Sequence, residues 1–442
     1  MPAHDDLAWA VTDINARRPG YAKFYRYADG DHPLIFPSNS PPRGFYELFR
    51  RFRENLCPAT YESVADRLEV VGFDVESGDQ QAAEAAEAWW QRERLDRRQN
   101  EVSVEFLKAG DAYGIVWPDR DQPNRARFWP QPAHLCTIRY DEETEQPELG
   151  AKLWRLRDGS WRLNLYYPSV IEKWQAPKGD DGDPKPDAFT PYEDPTQPNP
   201  YGRVPLFHFP NGEFARHGRS ELVDVIPIQD ALNYTVITLL YGVGKAALPN
   251  RWMTGGSSPT DERTGEPRGF SDDDDVWEVP HEQARFGQFP TPEFDKILEV
   301  NEAFAARIAR IRGIPLHYFN LHTGDFPSGE SLKTAEGRHV KHVERVQASA
   351  GTTWEDVAGF AAQIETGTDA GARLSTRWKT AETRNEMNDA ERVEVMRRVG
   401  ISRTQALREL GFSDEQVDRI VQERRDEDQF EAQLDTLMPT RG

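Results

Sequence analysis

Cysteine is nearly missing from this chain: 442 residues hold only Cys57 and Cys136. The two stand far apart, in helix-like and strand-like surroundings, so no disulfide framework is expected and a reducing compartment is the default. Long apolar runs are also absent, and no stretch approaches the ~18 uninterrupted apolar residues of an ordinary membrane span. The opening "MPAHDDLAWAVTDINARRPG" lacks a basic stretch followed by an apolar one, which argues against a signal peptide. Positive charge is short too: 54 Lys+Arg against 75 Asp+Glu leave a net charge of −21. Tight nucleic-acid binding, which needs cations against phosphates, is not expected of such a chain, although it can tolerate nucleic acid nearby. What is plentiful is aromatic and loop-forming material. Twelve Trp, 14 Tyr and 22 Phe supply cores, while 32 Pro and 32 Gly point to many loops rather than to disorder. The length calls for two to four structural units.

Residues 5–110 read mainly as helices. In "GFYELFRRFRENL" (44–56), Phe45, Leu48, Phe49, Phe52 and Leu56 share one face. A helix ending near Leu68 turns into a short Val-rich strand, and "QQAAEAAEAWWQRERLD" resumes the helix with Trp89 and Trp90 as core contacts. From 111 the pattern is that of strands: "AYGIVWPD" (112–119), "LCTIRYDEET" (135–144), "GAKLWRLRDGSWRLNLYY" (150–167) and "VPLFHFPN" (204–211). Asp158-Gly159 is a hairpin signal. The Pro-rich, acidic 177–203 reads as a long surface loop.

A helix–insert–helix layout follows. The spacing of Val225, Ile228, Leu232, Val236, Leu239, Leu240 and Val243 predicts a helix over 221–248, with Pro227 in its first turn. The insert between Pro249 and Pro292 contains the acidic "SDDDD" and strand-like "RWMTG" and "VWEVP". Phe294, Ile297, Leu298, Phe304 and Ile308 then mark a helix over 293–312. Two roughly matched helices bracketing one insert suggest a long antiparallel hairpin with a small module at its tip. A further helix over 331–364 carries Leu332, Ala335, His339, Val343, Val346, Ala350, Trp354, Val357, Ala361 and Ile364 on one stripe, with a kink conceivable at Gly351. Near the C-terminus, Gly400 and Gly411 suit helix C-caps, and Ser402/Gln405 and Ser413/Gln416 suit capping boxes.

Catalytic readings of these residues are weak. Ser328 or Ser331 with His317 or His322 and Asp325 is the raw material of a hydrolase, but no G-x-S-x-G turn follows a strand, and "PSGES" leads into a helix that these serines would cap. His339 and His342 form H-x-x-H without the glutamate of a zinc-protease helix or a third ligand, and His339 falls on the apolar stripe. "YGVGKAA" has Leu239 and Ala246 where a phosphate loop needs Gly and Ser/Thr. The "DDDD" run lacks the glycine and distal glutamate of a calcium loop. No cofactor, metal or catalytic residue is expected.

Several phrases, in this order, resemble a known family: "FLKAGDAYGIVWPD" (106–119), "GRVPLFHFPNGE" (202–213), "GRSELVDVIPIQDALN" (218–233), "ALPNRWMTG" (247–255) and "DAERVEVMRRVGISRTQALRELGFSDEQVDRIVQER" (389–424). They resemble bacteriophage portal proteins of the SPP1 type, in the branch common in phages of actinobacteria. The resemblance implies an α+β portal fold. A mixed wing would span 1–220, stem helices 221–246 and 293–312, and a small β-containing clip 247–292. A tunnel loop would span 313–330, a long helix returning to the wing 331–378, and a helical crown with a charged tail 379–442.

It also implies a homo-oligomeric ring, usually of twelve subunits, at one capsid vertex. The ring would pass double-stranded DNA without reading its sequence. It would meet the terminase large subunit, a head–tail adaptor, and the major capsid and scaffolding proteins. It would be a virion component assembled in the bacterial cytoplasm, not an enzyme and not in a membrane. On this reading Gly313, Pro315, Gly324, Pro327 and Gly329 bend the tunnel loop, and His317, Asn320, His322 and Thr323 brush phosphates beside Asp325. Trp252, Asp272, Asp273, Asp274, Asp275 and Trp277 belong to the docking clip. Twelve copies would carry about 250 negative charges, which favours sliding over gripping. The rivals are another virion structural protein, such as a minor capsid or adaptor protein, and a soluble hydrolase using 317–331.

Overall fold

The computed structural model describes residues 2–33, 54–77, 80–179, 182–212, 216–247, 251–254, 283, 285–288, 294–319, 329–367, 373–382, 396, 398, 400–409, 417, 419–422 and 424–425. The chain divides into two units. One comprises Met1–Asp29, Cys57–Val225 and Ala309–Gly442; the other comprises Gly30–Leu56 and Ile226–Ile308. The fold is a mixture of helices and antiparallel strand pairs, in keeping with the α+β expectation.

The first unit is organised by sheet alternation. Helix α1 (Pro2–Ala28) presents Leu7, Ala10, Val11 and Ile14 at 3–4 spacing. These cover one face of a five-stranded sheet built from β4 (Cys136–Tyr140), β5 (Pro147–Arg155), β6 (Trp161–Tyr166), β7 (Val170–Ala176) and β8 (Thr190–Pro198), in that spatial order. Leu149, Ala151, Leu153, Leu163 and Leu165 are its buried contribution to that core. The β5–β6 hairpin turns where Asp158-Gly159 predicts it, and Asp158 Oδ1 accepts the Ser160 N–H at 2.9 Å. A second sheet orders β3 (Ala126–Pro132), β2 (Asp111–Pro118) and β9 (Leu206–Pro210). Its Tyr113, Ile115 and Leu206 meet Ile138, Tyr166 and Ile171 on the other face of the larger sheet.

The unit also contains α2 (Cys57–Ala65), α3 (Gln80–Arg92), α4 (Leu95–Ala109) and the long α7 (Gly329–Thr366), and α3 and α7 bring their tryptophans into one aromatic cluster. The α7 stripe is buried as its spacing predicts, from His339 and Val343 through Trp354 to Ala361 and Ile364. Trp354 meets Trp90 at 5.1 Å, Phe128 at 5.5 Å and Phe209 at 4.7 Å between ring centroids. Trp89 and Trp90 are core residues, and α7 runs unbroken through Gly351. The short α8 (Arg403–Glu409) begins at the expected cap, with Ser402 Oγ accepting the Gln405 N–H at 3.2 Å.

Some expectations need correction. The 177–203 segment is not all loop: β8 pairs with β7 and places Pro191 opposite Trp174 and Pro198 opposite Val170. Proline is tolerated there because β8 is an edge strand, where a missing N–H can face solvent. The 331–378 segment is helical only to Thr366. Its last part is β12 (Arg373–Trp378), antiparallel to β1 (Val70–Ser77). Helix α2 stops at Ala65, short of the expected end near Leu68. Of the helix expected over 44–56, only 54–56 are described, and these are not helical. Ser413, Gln416 and Gly411 lie outside the described residues.

The second unit contains α5 (Ile226–Ala247), the antiparallel pair β10 (Arg251–Thr254) and β11 (Arg285–Gln288), and the first fifteen residues of α6 (Phe294–Arg312). Helix α5 starts five residues later than 221, because 221–225 form turns. Its inner face is fastened by amides as well as by Leu232, Val236 and Ile237. Gln229 donates to the Glu54 carbonyl at 2.7 Å and accepts from the Leu56 N–H at 2.9 Å. Of the two strand-like pieces foreseen in the insert, "RWMTG" is β10, while "VWEVP" lies outside the described residues.

Candidate functional site

The loop after α6 begins with a defined stop. Gly313 adopts φ 70°, a left-handed conformation that glycine enters without a Cβ penalty. The Ile314 N–H reaches the Ala309 carbonyl at 2.9 Å and the Gly313 N–H reaches Arg310 at 3.4 Å, the paired bonds of a Schellman C-cap. Pro315 is buried, and 316–319 form one turn of 3₁₀ helix.

That turn is pinned rather than loose. Arg67 donates to the Tyr318 hydroxyl, to Glu336 at 3.3 Å and to the Ala381 carbonyl at 2.7 Å. His317 Nε2 lies 3.7 Å from Glu336 Oε1. Glu336 is only 7% exposed, so a buried carboxylate on α7 and a cation from the α2 end together hold the start of the loop. Gly313, Pro315 and His317 thus belong to an anchored start, and Gly329 opens α7. Asn320, His322, Thr323, Gly324, Asp325 and Pro327 lie outside the described residues.

The two histidines of "HVKH" face different partners. His339 is fully buried, with Nε2 3.0 Å from the Ser63 carbonyl, the packed role its place on the stripe suggests. Burial depresses its pKa. His342 Nε2 lies 3.3 Å from Glu221 Oε2, and Glu221 also pairs with Arg312 and accepts from Asn211 Nδ2 at 2.8 Å. Burial, and then Arg312, Arg345 and Arg338, push His342 down to about 4. It is neutral at pH 7, so the pairing of Glu221 rests on Arg312.

A second polar knot escaped the sequence reading. Asp111 Oδ1 lies 2.7 Å from His208 Nε2 and accepts the Gly218 N–H at 2.7 Å, while its Oδ2 accepts the Tyr21 hydroxyl at 2.6 Å. Arg17 donates to the same Tyr21 hydroxyl at 2.7 Å and to Asp13. Burial alone would raise the Asp111 carboxyl, but the bonds from His208, Tyr21 and Gly218 outweigh it and hold it below the usual range. With side-chain exposures of 3% for His208 and 1% for Asp111, the pair is closed to any substrate. It clasps β2, β9 and α1 together. No local motif announces it, since its members come from positions 21, 111, 208 and 218.

In the second unit β10 pairs with β11, and Trp252 stands 38% exposed on β10. Asp272–Asp275 and Trp277 lie outside the described residues. The bare apolar side chains of this unit extend along its helices: Tyr234 and Val243 on α5, and Leu298 and Val300 on α6, at 38% to 47% exposure. The stripe expected on α6 is therefore divided, with Ile308 buried and Leu298 open. Among the described residues no helix is long and apolar enough to cross a membrane.

Comparison with known proteins converges on one family. The family described as "Phage portal protein, SPP1 Gp6-like" matches residues 9–429. The portal protein of Mycobacterium phage D29 is 22% identical over 372 residues, covering 80% of this chain and 74% of that protein. The portal protein of Mycobacterium phage L5 is 27% identical over 104 residues, 23% of this chain and 21% of that one.

Proposed function

This chain belongs to the SPP1 Gp6-like phage portal protein family, a structural family of the virion, and from that premise we propose that it forms the ring-shaped channel of a capsid vertex. Double-stranded DNA enters through the ring during packaging and leaves through it during ejection. The match across residues 9–429 carries the reading. The bare Tyr234, Val243, Leu298 and Val300 support it, because a ring of copies is what would cover them. In this reading 221–246 and 293–312 are the stem helices, 247–292 is the clip, and 379–442 is the crown. Twelve is the subunit number expected, and terminase, adaptor, capsid and scaffolding proteins are the partners expected. Native mass spectrometry and negative-stain images of the purified protein test it. Closed rings with a central hole are expected; a monodisperse monomer at micromolar concentration would overturn it.

The 313–330 segment is proposed as the tunnel loop, acting as a passive polar collar. It has no Lys or Arg between 313 and 332, so its contacts with DNA are weak and insensitive to salt. The Arg67–Glu336 clamp supports a reading in which 313–319 is the fixed base of the collar. Shortening 319–326 should impair packaging in intact rings. Loss of packaging on His322→Ala alone would instead mean specific histidine–phosphate contacts.

A further inference from the structure

The face of the five-stranded sheet opposite α1 is only partly covered. The smaller sheet closes it around Ile138, Tyr166 and Ile171, and beyond them the register aligns Cys136, Lys152, Asn164 and Lys173 in one row across β4, β5, β6 and β7. Over that row lies a cleft of about 310 Å³, walled by Trp117 and Trp129 of the smaller sheet and floored by Ile115 and Ile171. Trp129 is 39% exposed at its rim.

Both lysines are half-buried, and neither has a carboxylate partner among the described residues. The Lys152 ammonium sits 4.9 Å from the Trp154 ring centroid and makes no ion pair there. An adjoining cleft shares Lys173 and holds Asp119 and Asp194, but Asp119 is already bound by Arg127 at 2.8 Å. Two lysines without a carboxylate partner make this cleft locally cationic in a chain of net charge −21, a contrast that favours an anionic ligand.

The geometry narrows the ligand. Lys152 and Lys173 stand two strands apart, so their backbones are about 10 Å apart, wider than one phosphate group. Between them stands Asn164, whose amide donates to the Tyr166 hydroxyl at 3.3 Å, while Trp117 and Trp129 also line the cleft and suit a ring better than a hydrated anion. In an extended segment, residues two apart lie on one side about 7 Å from each other. An aromatic residue with a carboxylate two positions away on each side would put its ring between the tryptophans and an acid within reach of each lysine. We infer that this cleft is a docking site for an acidic segment of a partner protein that carries an aromatic side chain between its carboxylates.

The test uses the assembled full-length protein and a fluorescein-labelled synthetic peptide, Asp-Ser-Phe-Ser-Asp, read by anisotropy. Binding is expected, with Lys152→Met and Lys173→Met each weakening it by about fivefold and Ala in place of Phe weakening it comparably. Lys178→Met, on the exposed segment after β7, should leave affinity unchanged. If Lys152→Met fails to fold by circular dichroism, Lys173→Met on β7 decides the matter alone. No binding up to millimolar peptide, or affinity indifferent to Lys173, overturns the inference. So does lysine-dependent binding of a short DNA duplex in place of the peptide, which would make the cleft a phosphate contact.

Discussion

The two units of this chain differ in how far their described residues close a core of their own. In the first, cores are closed by the chain itself: α1 seals one sheet face, and Trp354 is enclosed by Trp90, Phe128 and Phe209. Buried polar side chains are paired internally there too, as in the Asp111–His208–Tyr21 and Glu221–Arg312–His342 knots. In the second, α5 is held on one face by Gln229, Asn233 and Leu232, while Tyr234, Val243, Leu298, Val300 and Trp252 stand open. The first unit also leaves Trp129, Val223, Ile311 and Leu316 open, but around closed cores, whereas the open side chains of the second lie along its two helices and one strand. In the proposed ring, the first unit would set the shape of each subunit and the second would join the copies.

This contrast can be broken most forcefully at Trp354. Trp354→Ala removes the centre of the aromatic cluster and should cost about 3–5 kcal/mol of stability, visible as an early loss of near-ultraviolet circular dichroism. If its melting temperature matches that of the parent, the first unit is not closed around this residue.

Acid should act next most strongly, and again on the first unit. His342 is held near 4 when folded, below the ordinary 6.5, so the unfolded chain takes up more protons between those values. The stability contributed by the neutral ring is complete above pH 6.5 and is lost as pH falls through that window, to the extent of about 3 kcal/mol. His217, also depressed to about 4 by burial and by Arg17, adds in the same direction. His342→Gln should flatten the dependence of denaturant midpoint on pH; an unchanged slope would show that the ring titrates freely.

The smallest effect on subunit stability is expected in the second unit. Leu298→Ser, at a side chain already 47% exposed, should shift subunit stability by about 0.5 kcal/mol or less. Its consequence belongs to assembly: native mass spectrometry should show dissociation at concentrations where the parent stays assembled. An intact assembly would mean that Leu298 faces solvent or channel instead of a neighbouring copy.

Much of this architecture was legible along the chain wherever a signal was local. The α7 stripe is helical spacing made visible, from His339 to Ile364. Ser402 announced its own cap, Asp158-Gly159 its turn, and two periodic segments either side of a Pro/Gly-rich insert announced α5 and α6. The bend after α6 was legible too, since Gly313 was expected to turn the chain there and adopts φ 70°. What stayed hidden depends on distant partners. β8 is a strand because β7 lies beside it, and its prolines speak against a strand until its edge position is known. β12 finds β1 some three hundred positions away, and nothing in "RLSTRW" names that partner.

The same division holds for chemistry. By itself the sequence determined that catalytic motifs are lacking, that charge is negative, that the long helices have apolar stripes, and that ordered phrases resemble portal proteins. These follow from residue type, periodicity and short-range spacing, which the chain carries wherever it goes. Tertiary structure alone decided that Asp111 would meet His208, that Arg67 would reach both Tyr318 and Glu336, and that Lys152 and Lys173 would share one cleft without a carboxylate. The physical reason is that a desolvated charge is set by what surrounds it in space, and those neighbours are assembled by sheet register and helix packing across segments that have no local means of specifying one another.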